Sequence, residues 1–479
     1  MNSQLQCYVY PFSTPNSYYL YDATTNSVIK TTPGIYDYFK HDTPLSPEDT
    51  GKFKTILKLG YISGNPIKSV GHPVSSILPR FLQEKIQGIT LQVTQQCNLR
   101  CHYCVYSGSY EGREHSSKRM SLETALAGVD FLHAHSTGMN MVGIGFYGGE
   151  PLLEFSLIKS VVNYAKKKNE GKNVHFHMTT NATLFNDEIF DFLQENEFTL
   201  LVSLDGPKEI HDKNRIFAAT GGGTFDTIMA NIAYMKENYP SLYKRMMVNA
   251  VVDQSLDATC SNEFFVQYEA LDGTQMLSNP INPEYRKGVI SSSDSFLIHD
   301  ETESFKSLLY QIGLISEKSI SHIAKQKFST IKSRMFTLRE RSVGLHEEMH
   351  HSGPCIAGAR KLFLNVHGDL FPCERVNEES EACRIGNLSD GFDVDKVDAL
   401  INIGKLTEDQ CKKCWAIRMC TQCLVAADTE QGLSREKKKS DCKYVKINAD
   451  NLLKDYVTLI EYGYRFEDDE PILTRQERI

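Results

Sequence analysis

Ten of the chain's 13 cysteines fall into two groups, and this clustering limits what the chain can fold around more than any other feature. The first group is Cys97, Cys101 and Cys104; the second is Cys355, Cys373, Cys411, Cys414, Cys420, Cys423 and Cys442. Soft thiolates at short spacings bind iron–sulfur clusters or zinc, whereas structural disulfides do not persist in a reducing compartment. Met1 to Leu20 has no basic segment ahead of an apolar run, so no export signal is read and the expected location is cytoplasmic. Cys7 and Cys260 stand alone and read as small packing residues.

At 479 residues the chain exceeds one ordinary core, so several domains are expected. A hydrophobic fraction of 41% and a charged fraction of 23% fit a globular protein. No apolar run approaches the roughly 20 residues of a membrane span. The net charge of −8 argues against nucleic acid as a partner.

Residues 1–80 read as a small α+β unit. Strands are expected at Gln6 to Tyr10, Ser17 to Asp22 and Ser27 to Thr31, and helices at Ile35 to Lys40 and Pro47 to Leu59. Gly71 to Pro79 reads as a linker. From residue 88 the pattern becomes strands alternating with helices. Strands are expected at Ile89 to Thr94, Val142 to Tyr147, Val174 to Thr179, Thr199 to Leu204 and Met247 to Val252. Leu122, Leu126 and Val129 share one helical face, as do Ile158, Val161, Val162 and Ala165. Repeated βα units imply a parallel sheet with right-handed crossovers and chemistry at the C-terminal strand ends. The expected division is 1–80, a 88–300 α/β unit, a helical 301–350 bridge, a Cys-rich 351–445 domain, and a helix from Lys446 to Leu459 with a tail to 479.

The first cysteines follow the first βα strand as Cys97-Asn-Leu-Arg-Cys101-His-Tyr-Cys104. One short loop can bring these three thiolates around one centre, leaving one iron of a four-iron cluster open to a small molecule. A zinc site would need a fourth ligand, and His102 is poorly directed for that beside Cys101. Gly148-Gly149-Glu150-Pro151 ends the second strand, where glycines allow close backbone approach and Glu150 offers an acceptor for an ammonium.

These motifs together resemble the radical S-adenosylmethionine (SAM) superfamily over roughly Gly88 to Pro280. The resemblance implies a partial (β/α)6 barrel and a SAM chelated by the open iron. Reductive cleavage then yields a 5′-deoxyadenosyl radical that abstracts hydrogen from a substrate. It also implies SAM contacts from Tyr103, Gly148, Gly149, Glu150, Asn181 and Ser203, and from Arg215 to the SAM carboxylate. The alternative for Arg215 is a surface loop residue.

The second cysteine group resembles the SPASM extension of that superfamily, which holds two auxiliary four-iron clusters. Its last pair is separated by two residues where the family usually has three, and two zinc sites are the alternative reading. Gly368, in Asn365-Val366-His367-Gly368-Asp369, marks a hairpin turn. By resemblance, Cys411, Cys414, Cys420 and Cys442 hold one cluster, while Cys355, Cys373 and Cys423 hold the other, one ligand short. Cys383 is the nearby candidate for the vacant place; an open iron or a plain buried cysteine is the alternative. Trp415 reads as core packing.

The N-terminal unit resembles the winged-helix-like recognition module of ribosomal-peptide maturases, which binds a leader by strand addition; a structural cap is the alternative. Together with Leu91 to Cys101 and Pro372-Cys373-Glu374-Arg375-Val376, it resembles maturases of the ranthipeptide and sactipeptide type, which form Cys-to-side-chain thioethers. The implied partners are a precursor peptide with a leader and an electron donor such as flavodoxin or ferredoxin. Arg360 and Arg375 flank auxiliary-cluster cysteines, and if the acceptor is Asp or Glu one of them is expected to hold its carboxylate. The rival readings are a sulfatase-type formylglycine-forming maturase and a non-catalytic iron–sulfur protein that escorts a peptide.

Overall fold

A computed structural model describes residues 3–255, 264–265, 268–337, 344–359 and 361–468. Cys260, Arg360 and the tail beyond residue 468 lie outside the described residues.

Three antiparallel strands, β1 (Val9–Ser13), β2 (Tyr18–Asp22) and β3 (Ser27–Thr31), open the chain in the order β1-β2-β3. The first strand starts later than its alternation suggested, because Ser3–Tyr8 winds into a 3₁₀ helix that turns Tyr8 wholly inward. Helices Pro33–His41 and Pro47–Lys58 follow, each begun by a hydroxyl cap and a proline. Thr32 Oγ1 accepts from Ile35 N at 3.3 Å and Ser46 Oγ from Asp49 N at 3.0 Å.

Gly71 to Pro79 is no free linker. Val70 N donates to Glu408 Oε1 and His72 N to Asn402 Oδ1, both at 2.8 Å, and a helix begins at Leu78. Backbone groups of this segment are satisfied by side chains of the Cys-rich region, which sequence periodicity does not register.

Six parallel strands form the barrel: β4 (Gly88–Thr94), then, beyond the small hairpin β5 (Ser107–Tyr110) and β6 (Arg113–Glu114), β7 (Met141–Gly148), β8 (Asn173–Thr180), β9 (Thr199–Ser203), β10 (Met246–Val252) and β11 (Gln275–Pro280). They neighbour one another in chain order, with helices Leu122–His135, Phe155–Lys168, Asp187–Glu195 and Phe225–Asn238 as crossovers. Alternate residues of these strands face the core, so Leu91, Val93, Ile144, Phe146, Phe176, Met178, Leu200, Val202 and Val248 are all buried. The sixth strand escaped the sequence reading because its side chains are half exposed and polar, unlike the apolar runs of the others.

The Cys-rich region is bonded onto this sheet. β12 (Phe363–Leu364) runs parallel to β4, and β13 (Asp369–Phe371) pairs back on β12 through a turn at Gly368, whose φ is 90°. The helix Asp294–Gln311 crosses the boundary expected at residue 300, and the last helix runs Cys442–Glu461, starting at a cysteine of the second group.

A second core lies apart from the barrel core. Tyr8, Leu20, Tyr21, Ile35 and Phe53 pack with Met335, Ile417, Leu453, Tyr456 and Val457. Trp415 stacks on Tyr10 with ring centroids 3.8 Å apart. The N-terminal unit therefore seats on the last helix and the second cysteine group, and among the described residues β3, like β1, is an outer strand of its sheet. Among the described residues no helix is long and apolar enough to cross a membrane.

Candidate active site

Strand ends of the barrel bring the first cysteine loop and the Gly-Gly-Glu-Pro turn together. Gly149 N donates to Thr94 O and Glu150 N to Gln96 O, both at 2.9 Å. The turn thus lies backbone-to-backbone on the segment that leads into Cys97. Gly148 has φ 143°, and a Cβ there would stand 2.0 Å from Thr94 O; at Gly149 it would stand 2.1 Å from Gln96 O. The close approach that demands glycine is made to the cysteine loop itself. A Gly149→Ala variant is expected to lose on the order of 1–3 kcal/mol through this overpacking, together with iron at the first site. Wild-type iron content and urea midpoint in that variant would show that the loop tolerates the group.

Glu150 is fully buried, and its carboxylate accepts from Leu152 N at 3.1 Å, Thr180 Oγ1 at 2.7 Å and Asn181 N at 2.7 Å. It braces the end of β7 to the end of β8. Burial pushes its pKa up to about 7, against the pull of those donors. Asn181 passes the brace on: its Nδ2 donates to Asn98 Oδ1 at 2.9 Å and reaches Cys97 Sγ at 3.8 Å. Leu99 N points at Cys97 Sγ at 3.3 Å and Tyr106 N at Cys104 Sγ at 3.4 Å. Such N–H groups suit anionic sulfur. Burial pushes the Cys97 and Cys101 thiols up to about 12 and raises Cys104; Cys101 and Cys104 add to the rise at Cys97. The three thiols therefore crowd one another, and an iron–sulfur cluster would take them as thiolates with release of protons.

Arg215 is buried, which removes the surface reading. Its Nε donates to Asp205 Oδ2 at 2.9 Å and its Nη2 to Asp205 Oδ1 at 3.1 Å. The fork expected to meet a SAM carboxylate is held by an internal one. Tyr103 donates its hydroxyl to the same Asp205, and the Arg215 guanidinium lies 5.3 Å from the Tyr103 ring centre. Asp205 also accepts from Val251 N at 3.0 Å, tying β9 to β10. His211 is kept neutral, its pKa pushed down to about 4 by burial, then by Arg215. Ser203 is buried at the end of β9. Asp205 was missed as a site residue although it stands inside Ser203-Leu204-Asp205-Gly206-Pro207; what singles it out is the arginine ten residues on, met only in space.

In the Cys-rich region the thiols sort into two neighbourhoods. Cys411 and Cys442 raise Cys414, and Cys414 and Cys411 raise Cys420, after burial in each case. Separately, Cys423 raises Cys373, and Cys355 raises Cys423, again after burial. Cys383 is wholly buried; burial and then Asp428 push its thiol well up, with a smaller contribution from Cys373. Arg375 is exposed, in electrostatic range of Cys423 and Glu374. Among the described residues no three Cys, His, Asp or Glu side chains converge to grip one small ion, as a structural zinc site requires.

Between the two cysteine regions lies a cavity of about 540 Å³. Gln95, Tyr106 and Arg113 line it from the barrel side, and His367 and Glu378 from the Cys-rich side. Arg113 is buried, with Nε 3.2 Å from Glu378 Oε1 but misaligned as a hydrogen bond, while Gln92 Nε2 donates to the same oxygen at 2.9 Å. This guanidinium lies in the fields of both Cys104 and Cys373.

Comparison with known proteins agrees with this geometry. Residues 91–261 match the family model described as the radical SAM superfamily. That match places a radical SAM domain at the centre of the chain, over most of the barrel strands and the first cysteine loop. Over 141 residues it is 37% identical to a cysteine-type anaerobic sulfatase-maturating enzyme of Clostridium novyi, spanning 29% of this chain and 37% of that enzyme. An uncharacterized protein of Methanocaldococcus jannaschii is 26% identical over 304 residues, 63% of this chain and 88% of its own length. The solved structure of native anSMEcpe with bound AdoMet shares the fold, with a TM-score of 0.58 and 21% identity over 78% of this chain and 98% of that one.

Proposed function

We propose that the protein is a peptide maturase that ties thioether bonds between cysteines and acceptor residues, Asp or Glu among them, of a ribosomally made precursor. The observation that carries this reading is the cavity lined both by the segment that follows the first cysteine loop and by the segments flanking Cys373. Cys97, Cys101 and Cys104 would hold the cluster that binds SAM. Cys411, Cys414, Cys420 and Cys442 would hold a second, and Cys355, Cys373 and Cys423 a third.

When bound, SAM on the first cluster supplies a 5′-deoxyadenosyl radical able to take a hydrogen atom from carbon. On the peptide, a C–H hydrogen atom would pass to the deoxyadenosyl radical, a thiol proton would leave to solvent, a C–S bond would form, and one electron would pass to an auxiliary cluster held by the second cysteine group. The chain's own residues set the geometry: the Gly148–Glu150 turn fixes the cysteine loop, and Asp205 with Arg215 fixes Tyr103 and the ends of β9 and β10. The outer edge of β3 supports docking of a leader by strand addition, which raises the local peptide concentration. A flavodoxin or ferredoxin is the electron donor proposed.

Arg375, exposed two residues after Cys373, is the proposed holder of the acceptor carboxylate. Arg375→Lys keeps the charge but loses the fork, and crosslinking of an Asp- or Glu-bearing peptide is expected to slow by about tenfold. An unchanged rate and unchanged acceptor choice would remove Arg375 from the site.

Formylglycine formation is the second reading, favoured by the sulfatase-maturating relative. Co-expression with the short Cys-rich reading frame nearest the gene, followed by mass spectrometry, separates the two. A thioether product loses two hydrogens per bond and keeps its sulfur; formylglycine made from cysteine loses the sulfur. An unmodified peptide would overturn the thioether reading.

A further inference from the structure

Lys438 is the middle of three successive lysines and the only buried one, 1% exposed. Burying an ammonium is costly unless a negative charge offsets it. Its Nζ donates to Thr407 Oγ1 at 2.9 Å and Gln422 Oε1 at 3.1 Å and reaches Cys411 Sγ at 3.9 Å. A hydroxyl, an amide and a thiol carry no formal charge, and among the described residues no carboxylate forms an ion pair with it. The same groups touch the other cysteines. Thr407 Oγ1 lies 3.3 Å from Cys411 Sγ, Cys420 Sγ lies 3.9 Å from Gln422 Oε1, and Cys442 Sγ lies 3.8 Å from Lys438 O. The nearby imidazoles add no positive charge, since burial pushes His350 down to about 4 and His351 to about 2.

We infer that Lys438 is the counter-charge of the iron–sulfur cluster held by Cys411, Cys414, Cys420 and Cys442, and that it raises that cluster's reduction potential. This rests on the cluster assignment proposed above. Four thiolates and a four-iron core are net negative, and reduction adds one electron and one further negative charge without breaking a bond. A fixed ammonium beside the sulfur ligands stabilises the reduced state more than the oxidised one. Lys438 is a positioning and tuning residue, since nothing places it against the peptide.

The test is a dithionite-poised redox titration of the iron-loaded full chain, followed by electron paramagnetic resonance. The relevant signal is identified by its loss, with about four irons, in Cys420→Ser. Lys438→Met is expected to make reduction of that cluster at least tenfold less favourable, a fall in midpoint of about 59 mV for one electron. The other auxiliary signal should stay in place. A loaded variant with an unmoved potential overturns the inference. If Lys438→Met fails to load, the same change is made in a chain with all four cysteines replaced by serine. There the ammonium has lost its counter-charge, so Lys438→Met should raise the melting temperature; a lowered one overturns the inference. A wild-type chain that loses no iron on Cys420→Ser would instead sink the cluster assignment beneath it.

Discussion

Replacing Cys97, Cys101 and Cys104 together by alanine abolishes 5′-deoxyadenosine formation and leaves roughly eight irons per chain. The loop holding the three thiols is built by the strand ends of the barrel, and the other seven clustered cysteines sit beyond residue 354 on separate segments. No thiol of the second group reaches the first site in the described contacts, so substitution cannot be made good from there. The Gly148–Glu150 turn bonds to backbone, not to sulfur, so the barrel should still close. Iron analysis and SAM cleavage under dithionite read both halves of the prediction. Continued SAM cleavage by the triple variant would sink the assignment of the first loop.

Asp205→Ala is expected to destabilise the protein by roughly 3–5 kcal/mol, because it leaves the buried Arg215 guanidinium without its counter-charge. The side chains are 0% and 7% exposed, so solvent cannot compensate the charge. The same change frees the Tyr103 hydroxyl and Val251 N, both donors to Asp205. The effect therefore spreads from the cysteine loop to β10. Urea unfolding measures it, and Asp205→Asn should fall between wild type and alanine, since it restores one acceptor oxygen but no charge. A wild-type urea midpoint in Asp205→Ala would show that Arg215 finds water or another partner at no cost.

The barrel was legible in sequence because its strands carry apolar residues at alternate positions or in short runs, between amphipathic helices. Ile89 to Thr94 and Met247 to Val252 each came within a residue of the observed strand. The cysteine loop was legible because its ligands are adjacent in the chain. What stayed hidden depends on distant partners. Arg215 is paired or solvated according to whether a carboxylate lies near it in space. Lys438 is indistinguishable in sequence from the lysines on either side. Gly71 to Pro79 carries linker composition, yet the His72 amide finds Asn402, and that of Val70 just before the segment finds Glu408, each more than 300 residues away. Separations of that size leave no periodicity to read.

The placement of the second core has a consequence for the order in which the chain becomes itself. Tyr19 donates its hydroxyl to Glu461, 442 residues later, at 2.8 Å. Ribosomes add about 5–20 residues per second, so the first sheet waits roughly 20–90 s for the helix that covers it. During that interval Leu20, Tyr21 and Phe53 have no permanent neighbour from the far end of the chain. The barrel, whose strands pair in order of emergence, can close while they wait. The first sheet is thus made well before the helix that covers it and settles only once that helix has emerged.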